Sequence, residues 1–198
     1  MKHPLLLGTF ALALPLAAAA APESYTIDPY HTYPYFQVSH FGVGNMMGRF
    51  DKTTGKLALD SAAKTGSVDL AVETATLTTG DNERGSRPRT RDEHLRTADF
   101  FNVQEFPRMT FKGTAVKFNG EAPAQIDGEL TLIGVTKPLT LTVDNWKCMP
   151  DPRTKGQRFF CGGNASGMIK RSDFGMKFGI PAVSDEVKLS IMLEAFRD

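Results

Sequence analysis

The feature that most constrains the fold of this chain is a two-residue alternation of apolar and polar side chains, repeated along most of its length. In the segment Gly128–Val143, leucines alternate with glutamate and threonines on both sides of a short turn. The same period recurs in several other segments, the last of which runs to Phe196 near the end of the chain. Because successive side chains of a strand point to opposite faces, this pattern predicts antiparallel sheet with one buried face.

Two turns set the expected pairing of the central strands. The dipeptide Asn119-Gly120 is typical of a tight hairpin and predicts that Phe111 lies opposite Gly128. A second turn at Val135-Thr136 completes the next hairpin. Both registers place the same side chains on the apolar face: Phe111, Leu130, Leu132 and Leu141.

About eight strands in one small domain close most naturally into a barrel. The predicted fold class is therefore all-β, an antiparallel barrel with a short helical insertion. The interior of such a barrel is either filled with side chains or holds one small ligand. Small residues on the inward face either leave space or mark bends of the sheet, and periodicity alone leaves both alternatives open. These small residues are Gly113, Gly128, Gly163, Ala165 and Gly167.

The helical insertion lies within residues 81–107, where the alternation is absent. Thr90 and Glu93 have the spacing of a capping box, which predicts the start of a short helix. We expect a second short helix around Phe100 and Phe101. Together with Leu95, these side chains form an apolar group that can close one end of the barrel.

The insertion also carries a cluster of arginines between Arg84 and Arg91. Such a cluster either meets an anionic lipid phosphate or membrane surface, or belongs to a solvated loop that pairs with its own carboxylates. The nearby acidic residues favour the second interpretation.

The beginning of the chain has the pattern of a secretory signal. Lys2 precedes an apolar run, Leu5–Leu16, and small alanines follow it. This run is too short to span a bilayer. We therefore expect a signal peptide over residues 1–20 and a mature domain over residues 21–198 in the bacterial periplasm.

Two cysteines, Cys148 and Cys161, belong to the expected mature chain. In an oxidising compartment such a pair predicts a disulfide. A metal or redox site is disfavoured because neither a flanking histidine nor a second cysteine pair is present, so we expect no bound metal. The two positions have opposite parity, and we expect Cys148 beyond the end of its strand, not opposite Cys161 in a regular ladder.

The charge of the chain argues against a nucleic-acid partner. The formal net charge is +1, and it falls to zero when Lys2 leaves with the signal peptide. Proteins that bind nucleic acid through phosphate contacts carry a basic surplus, which is absent here.

Catalytic patterns are weak. The expected mature chain has the histidines His31, His40 and His94, and only Asp92-x-His94 resembles a metal pair or a catalytic couple. Two residues that lie two apart on a helix do not share a face. The sequence also contains no HExxH or GxSxG motif. We therefore expect neither enzymatic activity nor a cofactor.

Four segments, in order, resemble the YceI-like family: Tyr25–Phe50, Arg91–Phe111, Gly128–Leu141 and Arg171–Met176. The resemblance implies a secreted or periplasmic, lipocalin-like barrel whose lumen binds a polyisoprenoid or another long-chain lipid. It thereby favours a cavity over a filled interior. The expected ligand-binding residues, taken from the apolar faces and the insertion, are Phe36, Val38, His40, Leu95, Phe100, Phe101, Phe111, Leu130, Leu132 and Leu141. For His40 the alternative, which its sequence context favours, is a plain buried, hydrogen-bonded histidine.

The resemblance implies a binding or carrier protein whose partner is a lipid ligand. It allows transient contact with a membrane, and either a monomer or a homodimer. One alternative is a stress-response interaction module whose bound lipid is incidental, which a protein partner retained after loss of lipid would favour. A less favoured alternative is a lipid-modifying enzyme, which would have to turn over its bound lipid.

Overall fold

The computed structural model describes residues 21–198, so the expected signal peptide lies outside the described residues. The strands are β1 (Glu23–Ile27), β2 (Tyr33–His40), β3 (Gly44–Phe50), β4 (Thr53–Asp60), β5 (Thr65–Glu73), β6 (Leu77–Thr78), β7 (Arg108–Asn119), β8 (Ala122–Leu132), β9 (Val135–Pro150), β10 (Phe159–Lys170) and β11 (Glu186–Arg197). One α-helix, α1 (Arg91–Leu95), and short 3₁₀ turns at Thr74–Thr76, Pro152–Thr154 and Arg171–Phe174 complete the described elements.

The sheet closes into a barrel. Antiparallel pairing runs in the order β1, β4, β5, β7, β8, β9, β10 and β11, and β11 pairs back with β1, which gives eight strands in the closed ring. Strand β2 continues along β11 beyond β1, with β3 beside β2 and β6 beside β3. The predicted all-β barrel with a short helical insertion is confirmed.

The connections between strands alternate between two ends of the barrel. We call the upper end the one that carries the β2–β3 turn, the insertion of residues 79–107, the β8–β9 turn and residues 171–185. The lower end carries the β4–β5 turn, the β7–β8 turn and the β9–β10 loop, residues 151–158.

Both predicted hairpin registers are wrong, although the predicted faces are right. The first turn lies at Gly120-Glu121, and Phe111 pairs with Leu130 instead of Gly128. The second lies at Ile133-Gly134, where φ is 43° and 77°, as a type I′ turn requires at both central residues. Each register is displaced by an even number of positions, so every side chain keeps its face.

The inward glycines mark bends of the sheet. Gly113 and Gly128 are direct partners, and a Cβ at Gly128 would lie 2.3 Å from the carbonyl oxygen of Lys112. A Cβ at Gly163 would similarly lie 2.2 Å from the carbonyl oxygen of Asn145. Register shifts next to Gly113 and near Gly163 confirm that the strands coil there. These three glycines therefore allow close approach of backbones and do not supply empty space.

The helical insertion contains one helix, not two. Helix α1 begins at the predicted capping box: the Thr90 hydroxyl accepts the Glu93 N–H at 3.0 Å, and the Glu93 carboxylate accepts the Thr90 N–H at 2.8 Å. Residues 97–106 form successive turns, and Asn102 has φ of 44°, which a right-handed helix does not tolerate. Within residues 21–198, no helix combines the length and apolar character required to cross a membrane.

The predicted disulfide is present, but not where we expected it. Cys148 and Cys161 are direct partners in the β9–β10 ladder, with Cα atoms 4.0 Å apart. Strand β9 continues to Pro150, and its register pairs residues of opposite parity, so the parity argument was wrong. The Cys161 side chain is fully buried.

Candidate functional site

The barrel encloses a cavity of about 200 Å³. Its wall comes from most strands of the sheet, from α1 and the turns that follow it, and from residues 171–185. Nearly all of the wall is apolar; the polar residues that contribute to it are Tyr35, Thr110, Asn164 and Arg171. An engineered protein cavity of about 150 Å³ is enough to admit benzene, so this cavity has room for a hydrocarbon segment.

The two sides of the cavity differ in how tightly they pack. On β5, β7 and β8, inward side chains such as Leu70, Phe111 and Leu130 are buried. On β11, the inward side chains of Leu189 and Ile191 are only partly buried, although they also line the cavity. Both side chains pack against the core in part, and the remainder of each faces the cavity. The interior is therefore not filled by its own side chains, which favours a cavity over a filled barrel, although the inward glycines themselves mark bends.

Nine of the ten expected ligand-binding residues line this cavity. They are Phe36, Val38, Leu95, Phe100, Phe101, Phe111, Leu130, Leu132 and Leu141. Their role in binding a ligand stays a prediction.

His40 is the exception: it neither faces the lumen nor is buried, so both expectations for it are wrong. It is the last residue of β2, its side chain is exposed, and its ring lies edge-on to Phe41 at 4.5 Å between centroids. The phase shared with Phe36 and Val38 ends here, because the chain turns at Phe41, where φ is 53°.

The insertion closes the upper end with two phenylalanines that play different parts. Phe101 is 8% exposed and packs against Phe36 and Phe50, with ring centroids 6.2 and 5.3 Å away. Phe100 is only partly buried and lies against His94 and Phe178, at 5.0 and 5.5 Å. Phe101 therefore belongs to the core, whereas Phe100 lines the cavity and is also partly exposed at its upper end.

Residues 171–185 close the rest of the upper end, and the alternation pattern missed them. Arg171 is 2% exposed, and its guanidinium donates hydrogen bonds to four backbone carbonyl groups: Met176, Phe178, Val183 and Ser184. Burial lowers the pKa of Arg171, and the charge of Asp185 opposes that shift. The buried guanidinium thus folds the segment so that Met176 and Val183 line the cavity. The only signal in the sequence was the motif that carries the family resemblance.

Three of the four arginines in the cluster are paired with the insertion's own carboxylates, and the fourth, Arg91, donates to Thr79. Arg84 forms an ion pair with Glu93, Arg87 with Asp81 and Arg89 with Asp99. The Arg84 guanidinium, helped by the Thr90 N–H, lowers the pKa of Glu93 to about 2. This agrees with a solvated, internally neutralised loop.

Asp92 and His94 do not form a catalytic couple. The buried Asp92 carboxylate accepts the backbone N–H of Thr79 at 3.0 Å, whereas His94 Nε2 lies 2.8 Å from Asp99. Asp92 and His94 thus have separate structural partners, and neither belongs to the cavity wall.

A different set of side chains could hold a cation. The donor atoms of Asp28, His31 and Glu194 all lie within 4.8 Å of one another, and these are ligand types that zinc accepts. However, His31 Nδ1 is already hydrogen-bonded to Asp28 at 2.8 Å, and the cluster lies outside the cavity wall.

The closed ring, the open apolar interior and the covered upper end define an antiparallel β-barrel protein with an enclosed apolar cavity. The sequence-family model of the YceI-like domain matches residues 25–195 of this chain. The chain therefore belongs to the YceI-like family.

Relatives support this assignment over nearly the whole chain. Protein YceI from Escherichia coli O6:H1 is 36% identical over 197 residues, which cover 98% of this chain and 97% of the relative. The crystal structure of the Campylobacter jejuni YceI protein has a TM-score of 0.65 and 25% identity, and covers 81% of this chain and 90% of its own. A polyisoprenoid binding domain from Saccharophagus degradans shares the fold, with a TM-score of 0.58, 15% identity, and coverage of 89% and 99%.

Proposed function

We propose that this chain is a periplasmic binding and carrier protein that holds a polyisoprenoid or another long-chain lipid in its barrel cavity. The observation that carries the proposal is the cavity wall, which is almost wholly apolar and leaves inward side chains such as Leu189 and Ile191 partly accessible. The polyisoprenoid binding domain of Saccharophagus degradans supports it, because that domain has the same fold.

The energetics favour a lipid over a smaller apolar molecule. Each buried methylene stabilises a complex by about 0.8 kcal/mol, so a few isoprene units offset the cost of association. A lipid that leaves a bilayer gains almost nothing from its tail, because it exchanges one apolar surrounding for another. Selectivity among lipids must therefore come from shape and from the polar residues of the wall.

The size of the cavity limits how much of a long chain it can hold. Its volume of about 200 Å³ is below the roughly 300–1,000 Å³ of pockets that bury a whole drug-sized ligand. We therefore expect the cavity to hold one part of a long chain. The remainder either extends through an end of the barrel or displaces the less tightly packed wall at β11.

The periplasmic location is supported by the disulfide between Cys148 and Cys161, since disulfides persist in oxidising compartments. The choice of a binding protein over an enzyme is supported by the position of the histidines. His31, His40 and His94, the histidines of the described residues, all lie outside the cavity wall.

The chain contains its own reporter for a test of this function. Trp146 is the only tryptophan in the sequence and lines the cavity. We expect its emission to change saturably when purified, delipidated protein is titrated with isoprenoid alcohols of increasing length. Affinity should rise with chain length and then level off when the cavity is full.

Native mass spectrometry of protein purified from its own periplasm, followed by organic extraction, complements the titration. We expect a bound lipid of defined mass. An unchanged Trp146 emission with every alcohol, together with protein that carries no lipid, would contradict the proposed function.

A further inference from the structure

We propose that an apolar rim at the upper end docks on a lipid bilayer, so that the cavity can exchange its ligand with the membrane. The rim is defined by Phe41 and Val43 in the β2–β3 turn and by Phe178 and Ile180 in residues 171–185. This inference rests on the proposed function, because only a carrier of lipid has to meet a membrane with its cavity.

The rim is the main concentration of exposed apolar side chains in the described part of the chain. Val43 is 91% exposed, Phe41 66%, Phe178 50% and Ile180 36%. The two parts of the rim adjoin, since the Phe41 N–H donates to the Ala182 carbonyl at 2.6 Å. Exposed apolar side chains that cluster in this way mark interaction surfaces, whereas isolated ones need no explanation.

The rim is continuous with the wall of the cavity. The ring of Phe178 lies 5.5 Å from that of Phe100, which lines the cavity. On the other side of the rim, Val183 bridges to His40, next to Phe41, and also lines the cavity. An apolar path therefore leads from the lumen to the outer tip of the barrel.

Phe41 is an unfavourable residue for its position in the fold. Its φ of 53° lies in the left-handed region, where a bulky side chain is a steric outlier and where glycine or asparagine is favoured. With two thirds of the residue exposed, burial of the ring offsets little of this cost. Within the fold the ring has an aromatic contact with His40, whereas contact with an apolar partner would also bury its exposed part.

A bilayer fits this rim better than a second copy of the chain. A fully exposed aromatic side chain offers roughly 150–250 Å², so two partly covered phenylalanines and two aliphatic residues fall short of the roughly 800 Å² that each partner buries in a stable dimer. Apolar side chains at turn tips can instead enter the boundary between head groups and acyl chains. Arg84, Arg87 and Arg89 of the neighbouring insertion are already paired with carboxylates, so these arginines should add little dependence on anionic lipid.

The test uses a variant that removes the β2–β3 half of the rim without weakening the fold. Phe41→Asn together with Val43→Thr replaces both turn-tip side chains, and asparagine suits a positive φ. We expect its unfolding midpoint to be equal to or higher than that of the parent protein. Co-flotation with phosphatidylcholine vesicles, with and without phosphatidylglycerol, should fall by a factor of about ten or more.

The matched control is Tyr30→Asn, which removes a side chain that is 78% exposed in the β1–β2 connection, away from the rim. We expect this variant to bind vesicles like the parent. Equal loss of binding in the control would overturn the proposal, as would parent protein that binds vesicles no better than the rim variant.

Lipid extraction from the same samples separates this inference from the function on which it rests. Parent protein that carries lipid in its cavity but does not bind vesicles would overturn the docking proposal and leave the carrier function intact. Rim-dependent vesicle binding by protein whose cavity takes up no lipid would support the rim and contradict the carrier function. A concentration-dependent dimer that the rim substitutions abolish, without vesicle binding, would assign the rim to a second copy and overturn the proposal.

Discussion

The two ends of this barrel are built differently. The lower end has short turns, a disulfide across β9 and β10, and a loop anchored by Asp151, which is 1% exposed and accepts hydrogen bonds from the N–H and Nε of Arg153. The upper end has two long segments, and its covering side chains, such as Phe100 and Phe178, are partly or largely exposed. The lower end is therefore the more firmly closed of the two, and under the proposed function the upper end is where a ligand would enter.

The distribution of exposed apolar side chains agrees with this division. Among the described residues, none of the large hydrophobic side chains that are substantially exposed lies on the lower connections, whereas Phe41, Val43, Phe178 and Ile180 lie on the upper ones. A loop that only closes a barrel is expected to present polar residues to water. The upper end departs from that expectation in the two segments that also contact the cavity wall.

The largest expected effect separates the two phenylalanines of the upper end. Phe101→Ala should lower the free energy of unfolding by about 3–5 kcal/mol, because it leaves a cavity in the core. Phe100→Ala should cost clearly less, because this side chain is only partly buried, and should instead speed the release of bound lipid. Denaturant unfolding and lipid retention over time measure both. If Phe100→Ala destabilises as much as Phe101→Ala and leaves retention unchanged, the upper end is simply core.

Removal of the disulfide tests the lower end. Cys148→Ala with Cys161→Ala should lower the free energy of unfolding by about 3 kcal/mol, since the bond closes a short loop in the unfolded chain. The β9–β10 ladder pairs the same residues without the bond, so the barrel should persist. Lipid affinity, measured through Trp146 emission, should be unchanged. A loss of affinity in folded protein would show that the lower end also controls the cavity.

A smaller effect is expected from acid. The pKa of Glu93 is lowered from 4.5 to about 2, chiefly by Arg84, and that of Asp127 from 3.8 to about 2, chiefly by the Thr140 hydroxyl. A carboxylate with a lowered pKa in the folded state stabilises it fully above the unfolded pKa, and this contribution is lost as pH falls through the folded pKa.

The unfolding midpoint should therefore be level above about pH 5 and decline between pH 4.5 and 2. Glu93→Gln removes the carboxylate with a lowered pKa at the upper end and should make the decline slightly shallower. Asp127→Asn removes the corresponding carboxylate on the barrel wall and should have the same effect. Both side chains are partly exposed to solvent, so each effect is small. A midpoint that rises on acidification would contradict the ion pairs.

Sequence patterns predicted the faces of the strands better than their partners. The parity of Leu130 or Leu141 follows from local alternation, so the apolar face was correct even though both hairpins were displaced. Register depends on where the chain can adopt positive φ, and Ile133 is not a residue that signals such a turn. The same limit explains Cys148, whose partner depends on the register of a hairpin with a long loop.

The cavity wall was predictable where it is made by strands and by the insertion, and unpredictable elsewhere. Residues 171–185 fold around the buried guanidinium of Arg171, which binds backbone carbonyl groups and so leaves no pattern of side-chain types. His40 shared the phase of Phe36, but phase carries no information about where a strand ends. Local periodicity thus describes ladders, and not the segments that close a barrel.

The most direct test of the central claim compares two neighbouring positions on β11. Ile191 points into the cavity, and Ser190 points outward and is exposed. Bound lipid, extracted and quantified per mole of folded protein, should fall sharply in Ile191→Trp and stay at the parent level in Ser190→Trp, with little change in unfolding midpoint for either. Full lipid occupancy in Ile191→Trp, with stability lowered by the 1–3 kcal/mol or so typical of an overpacked core, would show that the barrel packs on itself and would contradict the account.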